Sequence, residues 1–422
     1  MEKIAIIGLG YIGLPLSLQF ACSGTMVTGI DIDPEKVEAL NAGKTYIKHV
    51  PGTAIQKVLT SGRFTASTDF DRVREVEAII VCVPTPLTKT REPDLSYVLD
   101  TGRAIAPHLR RGTVVVLEST TYPGTTDEDF RAVLEQGSGM KAGEAFHLAF
   151  SPEREDPGNP ESKVAKIPKI VGGYTPGCLE KAVALYSRAV ETVVPVSSCK
   201  TAEATKLLEN IFRSVNIALA NEIALMCSHM NIDVWEVIKA ASSKPFGFMA
   251  FYPGPGLGGH CIPIDPLYLE WKSKIDGFES RFIGLADKIN SGMPRFVATR
   301  AMELLNEQGK AMRGSRVHIL GVTYKKDIGD SRESPAIEVI KLLTGLGAHV
   351  TYSDPYVPSL RLEGRSMSAI DPSPEVVRAC DMVIIVTNHS AFNYAEIVKD
   401  APLVFDTRNA TDGIKASNLV RL

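Results

Sequence analysis

The chain has 422 residues, 44% hydrophobic and 23% charged, with a formal net charge of -3. That composition gives room for two or three globular cores, and without a basic excess it offers nothing to nucleic acid or to a membrane surface. The seven cysteines (Cys22, Cys82, Cys178, Cys199, Cys227, Cys261 and Cys380) are odd in number, dispersed and lack metal-ligand spacing. They read as reduced thiols of a cytoplasmic protein, mostly small buried hydrophobes, with no metal site.

Lys3 and the apolar run from Ile4 imitate a secretory leader, but three glycines and a proline interrupt the run and "GIDIDP" follows it. No other apolar segment reaches the roughly 18 residues that span a bilayer. The stretch "KIAIIGLGYIGLPLSLQFACSGTMVTGIDIDP" reads instead as strand, glycine turn, helix and second strand, closed by an acid. Gly8, Gly10 and Gly13 form G-x-G-x-x-G, and Asp31 follows at the distance where an acid meets a ribose. After a strand and before a helix, the motif specifies a dinucleotide whose pyrophosphate sits on the helix N-terminus. Asp31 favours NAD over its 2′-phosphorylated relative.

Further short apolar runs predict parallel strands: "EAIIVCVPTP" (77–86), "GTVVVLEST" (112–120), "FHLAFSPE" (146–153) and "KIVGG" (169–173). Thr85, Thr120 and Glu153 lie just past such strands, at the sheet edge where open parallel sheets bind ligands. From Ser198, a candidate cap, some forty residues read as helix, long enough to link domains or subunits. Glu203, Lys206 and Asn210 share one face of it, with Leu207, Leu208, Ile211, Phe212 and Val215 on the adjoining apolar face.

The chain then repeats its opening. "SRVHILGVTY", "SPAIEVIKLLTGLG" and "AHVTYSDP" give strand, glycine loop, helix and a strand ending in Asp354, followed by the strands "DMVIIVTNH" and "PLVFDTRN". This half lacks the full glycine motif, so NAD belongs to the first half and the second suits another nucleotide. Its loop "TYKKDIGDSRESP" offers Lys325, Lys326 and Arg332 to a phosphate.

Between the halves, "GPGLGGHCIPIDP" (254–266) places Cys261 in a loop shaped by glycine and proline. A thiol beside a dinucleotide suits covalent oxidation. Thiolate addition to an aldehyde gives a thiohemiacetal, its oxidation a thioester, and water releases the acid. Lys206 and Asn210 are candidates to stabilise the oxyanion, and Asp265 or Glu153 to hold the water. A single-step dehydrogenase with a structural Cys261, or a nucleotide-binding regulator without turnover, remains open on these residues alone.

Taken together, the N-terminal fingerprint, "VPTP", "LEST", "SPER", "EATKLLEN", "GPGLGGHCIPIDP" and "KKDIGDSRESP" resemble the UDP-glucose/GDP-mannose dehydrogenase family, in order from residue 4 to about 410. The resemblance implies an α/β fold: two Rossmann-like domains with parallel sheets, joined by a long central helix. It implies an NAD-binding domain over 1–197, a central helical segment carrying the cysteine loop over 198–308 and a UDP-binding domain over 309–422. The expected reaction is four-electron oxidation of a nucleotide sugar's C6 alcohol by two NAD, with a homodimer formed through the central helix. Carried over motif by motif, the catalytic set is Cys261, Lys206, Asn210, Asp265, Thr120 and Glu153. The cofactor set is Gly8, Gly10, Tyr11, Ile12, Gly13, Asp31, Lys36, Thr85, Thr120 and Arg332. The substrate set is Glu153, Arg154, Lys206, Asn210, Tyr252, Gly258 and Lys325.

Two departures bear on the sugar. Pro157 stands where members acting on UDP-glucose commonly carry a second glutamate, and His260 where they have a small residue. With "SPEREDPGNP", these resemble the branch acting on UDP-N-acetylhexosamines. They imply oxidation of UDP-N-acetylglucosamine to its uronate, for polysaccharide or O-antigen synthesis, with UDP-N-acetylmannosamine or UDP-glucose as alternatives.

Overall fold

The computed structural model describes residues 1–47, 50–88, 90–154, 164–259 and 262–422. The chain divides into two compact units: Met1–Glu209 with Leu267–Phe278, and Asn210–Pro266 with Glu279–Leu422.

In the first unit, eight strands form one sheet: β1 (Lys3–Ile7), β2 (Met26–Ile30), β3 (Phe64–Ser67), β4 (Ala78–Val81), β5 (Val114–Leu117), β6 (His147–Phe150), β7 (Lys169–Gly173) and β8 (Val193–Val196). Their order is β3-β2-β1-β4-β5-β6-β7-β8. Helices α1 (Gly13–Cys22), α2 (Pro34–Asn41), α3 (Gly52–Thr60), α4 (Ser96–Ile105), α5 (Arg131–Ser138) and α6 (Pro176–Tyr186) accompany them. The central strands are short β-branched runs because both faces are covered. Ile4 and Ile6 of β1 enter the core with Leu14 and Phe20 of α1, while Ala5 and Ile7 join Phe130 and Leu134 on the other face. Ile4 lies opposite Val27 and Ala78, which sets the register of the three central strands.

The strand at 169–173 departs from the sequence expectation. β7 runs antiparallel to β6, with Ala149 opposite Gly173 and Phe150 opposite Gly172, while β8 runs parallel to β7. An antiparallel pair needs no crossover, and β7 starts at the end of the sheet where β6 stops. A Cβ on Gly172 would lie 2.2 Å from the Ser198 carbonyl oxygen, and one on Gly173 2.3 Å from the Leu179 nitrogen. These glycines therefore serve close packing.

The forty-residue helix is two. α7 (Cys199–Met230) ends at Asn231, whose φ of 54° is the left-handed stop of a helix, and α8 (Val234–Ala241) restarts after Asp233 caps it. Ser198 accepts from the Thr201 amide at 3.1 Å and opens α7 as expected. Leu208 and Phe212, expected on an apolar face, are exposed, whereas Leu207 is buried.

Helices α9 (Asp265–Ile275) and α10 (Arg281–Glu307) follow. The remaining elements are β9 (Arg316–Leu320), α11 (Pro335–Gly345), β10 (His349–Ser353), β11 (Ser359–Leu362), β12 (Arg365–Ser368), α12 (Pro374–Ala379), β13 (Met382–Ile385), α13 (Tyr394–Asp400), β14 (Val404–Asp406) and β15 (Leu419–Arg421). The second unit's parallel sheet has the order β10-β9-β13-β14-β15, and β11 pairs with β12 as a hairpin. Both large sheets are doubly wound, reversing between β1 and β4 in one and between β9 and β13 in the other. No helix among the described residues is long and apolar enough to cross a membrane.

Candidate active site

The three motif glycines do different work. Gly8, at φ 89°, would put a Cβ 2.4 Å from the Cys82 carbonyl oxygen, and Gly13 would put one 1.8 Å from that of Gly8. Both let the turn pack flat on the sheet. Around Gly10 nothing lies within 4 Å of a built Cβ, so this backbone faces open space at the start of α1, as a pyrophosphate requires. Tyr11 is exposed and Ile12 half-buried beside it.

Asp31 closes the turn from β2. Its Oδ2 accepts the Leu9 amide at 2.8 Å and its Oδ1 the Asp33 amide at 3.0 Å, while Lys36 Nζ stands 3.7 Å away. An ionised carboxylate has about four acceptor sites. Two therefore remain for ribose hydroxyls after the backbone is served. The residues fit NAD.

Asp354 repeats this geometry in the second unit but is fully committed. Its Oδ2 accepts the Val322 amide at 2.7 Å and meets His389 Nε2 at 3.0 Å, and its Oδ1 accepts from Tyr356 and Val357 at 2.8 and 3.1 Å. Burial alone would raise its pKa, yet His389 and the backbone donors hold it below the usual carboxylate value. Gly321 reproduces Gly8, at φ 80° with a built Cβ 2.4 Å from the Thr387 carbonyl oxygen. The Asp327 amide donates to His389 Nδ1 at 2.9 Å, tying the lysine-bearing loop to this centre. Lys325 is half-buried there, and Arg332 forms a forked pair with Asp330 at 2.6–3.1 Å.

The strand ends of the first unit carry the other polar candidates. Thr85 follows β4 and is buried, and Thr120 follows β5 and is half-buried. Beyond β6, Glu153 and Arg154 line a small cleft with Ile12, Leu16, Glu118, Ile167 and Lys169. Lys206 reaches the same strand end from α7: its Nζ donates to the Glu153 carbonyl oxygen at 2.5 Å and lies 3.9 Å from Oε2. Arg154 pairs with Glu209 at 2.7 Å and donates to the Pro168 carbonyl at 2.7 Å. Sequence reasoning passed over the base of this cleft, where buried Glu118 pairs with Lys169 at 2.8 Å and accepts the Tyr186 hydroxyl.

In the second unit, Asn210 Nδ2 donates to Asp265 Oδ2 at 2.5 Å. Cys261 and His260 lie outside the described residues, as does Pro157, but the approach to the cysteine is defined. The Gly254 amide donates to Asn221 Oδ1, Asn221 donates to Asn290, and Asn290 to the Ser214 carbonyl, all at 2.9–3.1 Å. A Cβ on Gly254 would strike the Arg408 guanidinium at 2.5 Å, and one on Gly258 would strike Tyr324 Cβ at 2.5 Å. The glycines thus seat the loop against its neighbours, a role beyond backbone exposure near a thiol. Tyr252 is exposed, its ring stacked on Trp235 at 6.4 Å.

Three domain families cover nearly the whole chain. Residues 2–190 match the NAD-binding domain of the UDP-glucose/GDP-mannose dehydrogenase family, 200–292 its central domain and 318–413 its UDP-binding domain. A UDP-N-acetyl-D-mannosamine dehydrogenase of Methanococcus maripaludis is 34% identical, over 97% of this chain and 93% of its own. The UDP-N-acetyl-D-glucosamine 6-dehydrogenase of Salmonella typhi is 35% identical, over 92% and 90%. A solved UDP-D-ManNAc dehydrogenase from Pyrococcus horikoshii superimposes with a TM-score of 0.90 at 32% identity, over 99% and 98%. With an open glycine turn and a ribose-ready acid at one sheet edge, and all three domains matched in order, the chain belongs to the UDP-glucose/GDP-mannose dehydrogenase family and is an NAD-dependent nucleotide-sugar dehydrogenase.

Proposed function

We propose that the protein oxidises the C6 alcohol of UDP-N-acetylglucosamine to the carboxylate in two successive steps. The observation that carries the chemistry is the pairing on α7. Lys206 is held at the Glu153 strand end, and Asn210, one turn on, is held to Asp265. Such a helix presents an ammonium and an amide to one developing oxyanion. Bound NAD supplies the chemistry of accepting hydride, once at the alcohol level and once at the thiohemiacetal level.

The protein's own groups do the rest. Cys261 adds to the aldehyde and later leaves as thiolate from the hydrolysed thioester. Lys206 and Asn210 hold the sugar's C6 oxygen as charge develops. Asp265 and Glu153, both largely buried carboxylates, hold the hydrolytic water and receive its proton. Thr120 orients the reacting carbon from the β5 edge, while Lys325 takes the nucleotide's diphosphate. We assign NAD binding to residues 1–197, the cysteine loop and dimer contact to 198–308, and UDP binding to 309–422.

The N-acetyl preference is supported by His260 and Pro157, and by relatives named for N-acetylhexosamine substrates. An amide partner left unpaired by an unsubstituted sugar costs about 1–3 kcal/mol, a tenfold to hundredfold loss. The test is kcat/KM for UDP-N-acetylglucosamine, UDP-N-acetylmannosamine, UDP-glucose and GDP-mannose, counting NADH per sugar. Two NADH, with UDP-N-acetylglucosamine used best, is the expected result. Equal efficiency on UDP-glucose removes the N-acetyl assignment, and one NADH per sugar removes the thioester.

A further inference from the structure

Glu203 precedes Lys206 by one turn of α7, and the chemistry above leaves it without a role. Its side chain is fully buried. Its Oε2 accepts the Gly124 amide at 2.7 Å, and its Oε1 accepts the Thr126 amide at 2.9 Å and the Thr126 hydroxyl at 2.7 Å. The Thr121 hydroxyl stands 3.5 Å from the same oxygen. All these donors belong to one loop, the one that leaves β5 with Thr120.

Capping the turn at Thr125–Phe130 does not by itself explain the arrangement. An exposed serine or aspartate caps a helix as well, whereas burying a carboxylate carries a desolvation cost of several kcal/mol. What the buried carboxylate adds is a fixed distance. On one side of Thr120, the Ser119 hydroxyl donates to the Val83 carbonyl at 2.7 Å. On the other, Thr121, Gly124 and Thr126 converge on Glu203, and the Tyr122 ring packs 5.0 Å from that of Trp271. Thr120 is held between these anchors. One of them is the rigid helix that also carries Lys206.

We infer that Glu203 is a positioning residue, which clamps the Thr120 loop to α7 so that the threonine hydroxyl and the Lys206 ammonium keep a fixed separation. The inference rests on the reading of Thr120 and Lys206 as one catalytic set.

Two variants of the full chain test it. Glu203→Gln turns an NH2 toward N–H donors, and Thr126→Val removes one donor while keeping the carboxylate. Amide hydrogen exchange at Gly124 and Thr126 should accelerate in Glu203→Gln by on the order of tenfold, the scale of one hydrogen bond to a charged group. With UDP-N-acetylglucosamine and NAD, its kcat should fall about a hundredfold, as for a catalytic group misplaced by about 1 Å. The KM for NAD should stay within about twofold, because the glycine turn is untouched. Thr126→Val should shift both exchange and kcat the same way by about tenfold, and it carries the test if Glu203→Gln does not fold. Unchanged exchange overturns the clamp, and faster exchange with unchanged kcat overturns the positioning role. Wild-type protein inactive on every nucleotide sugar would instead overturn the catalytic reading, and this assignment with it, whatever the exchange shows.

Discussion

A lysine as buried as Lys206 needs oxygen partners, and Glu153 supplies both a carbonyl and a carboxylate. Lys206→Met should lower kcat by roughly 10²–10³ with little change in KM, the pattern for an interaction made only in the transition state. A rise in KM alone, in steady-state kinetics, would return Lys206 to ground-state binding. Glu203 makes a pH prediction. Burial pushes its pKa up to about 7 from an ordinary 4.5, against the Thr126 and Gly124 hydrogen bonds that lower it. Asp127 and the thiol of Cys199 also face it, with Lys200 as the nearby cation. A raised carboxyl pKa means the folded state binds the extra proton. The stability this contributes is complete below about pH 4.5 and lost as pH rises through about 7. The wild-type Tm should therefore fall between about pH 5 and pH 8, and Glu203→Gln should flatten that slope in calorimetric scans. Residues differed in how legible they were. Gly8, Gly10, Gly13 and Asp31 were readable because turn geometry restricts both residue type and spacing. Glu203 showed only as a polar residue on a helix face, since its partners lie some 80 residues earlier in the chain.

At the scale of elements, most strands were legible because buried parallel strands are short β-branched runs. The direction of β7 was not, because an apolar run reads the same both ways and only the connection decides. The end of α7 was written as Asn231 followed by Asp233, a left-handed stop and a fresh cap, but apolar spacing continues across them and masks the break. The role of α9 also escaped sequence reading. Tyr268, three residues after Asp265, donates to the carbonyls of Thr85 and Pro86 at 2.9 and 3.0 Å, and its ring lies 6.5 Å from that of Tyr122. It fastens the helix to the loops after β4 and β5. Tyr268→Phe should cost about 1 kcal/mol and lower Tm by roughly 2–4 °C. An unchanged melting curve would mean that these carbonyls find water instead.

At the scale of the molecule, α7 exposes Leu208, Phe212, Leu219, Met226 and Met230 at spacings of 4, 7, 7 and 4. That is a seam along one side of the helix, the pattern of a surface made to be covered. We propose that a second copy covers it. Sedimentation should give a dimer, and Leu219→Asp should give a monomer that keeps its secondary structure; a wild-type monomer at micromolar concentration would end this proposal. The duplicated domain plan carries a different consequence, for the order of events in turnover. Asp31 retains acceptor sites for a ribose, whereas the four contacts at Asp354 exhaust its own. Of these two carboxylates, Asp31 alone is open to a dinucleotide's ribose, yet the proposed oxidation releases two hydrides. On that proposal, spent NADH departs and fresh NAD enters while the half-oxidised sugar stays bound, so cofactor exchange proceeds without release of the sugar. Titration calorimetry should count one NAD per chain. With NAD limiting, no free aldehyde should be trapped by a carbonyl reagent; a second NAD per chain or aldehyde in solution would show that the two exits are not separate.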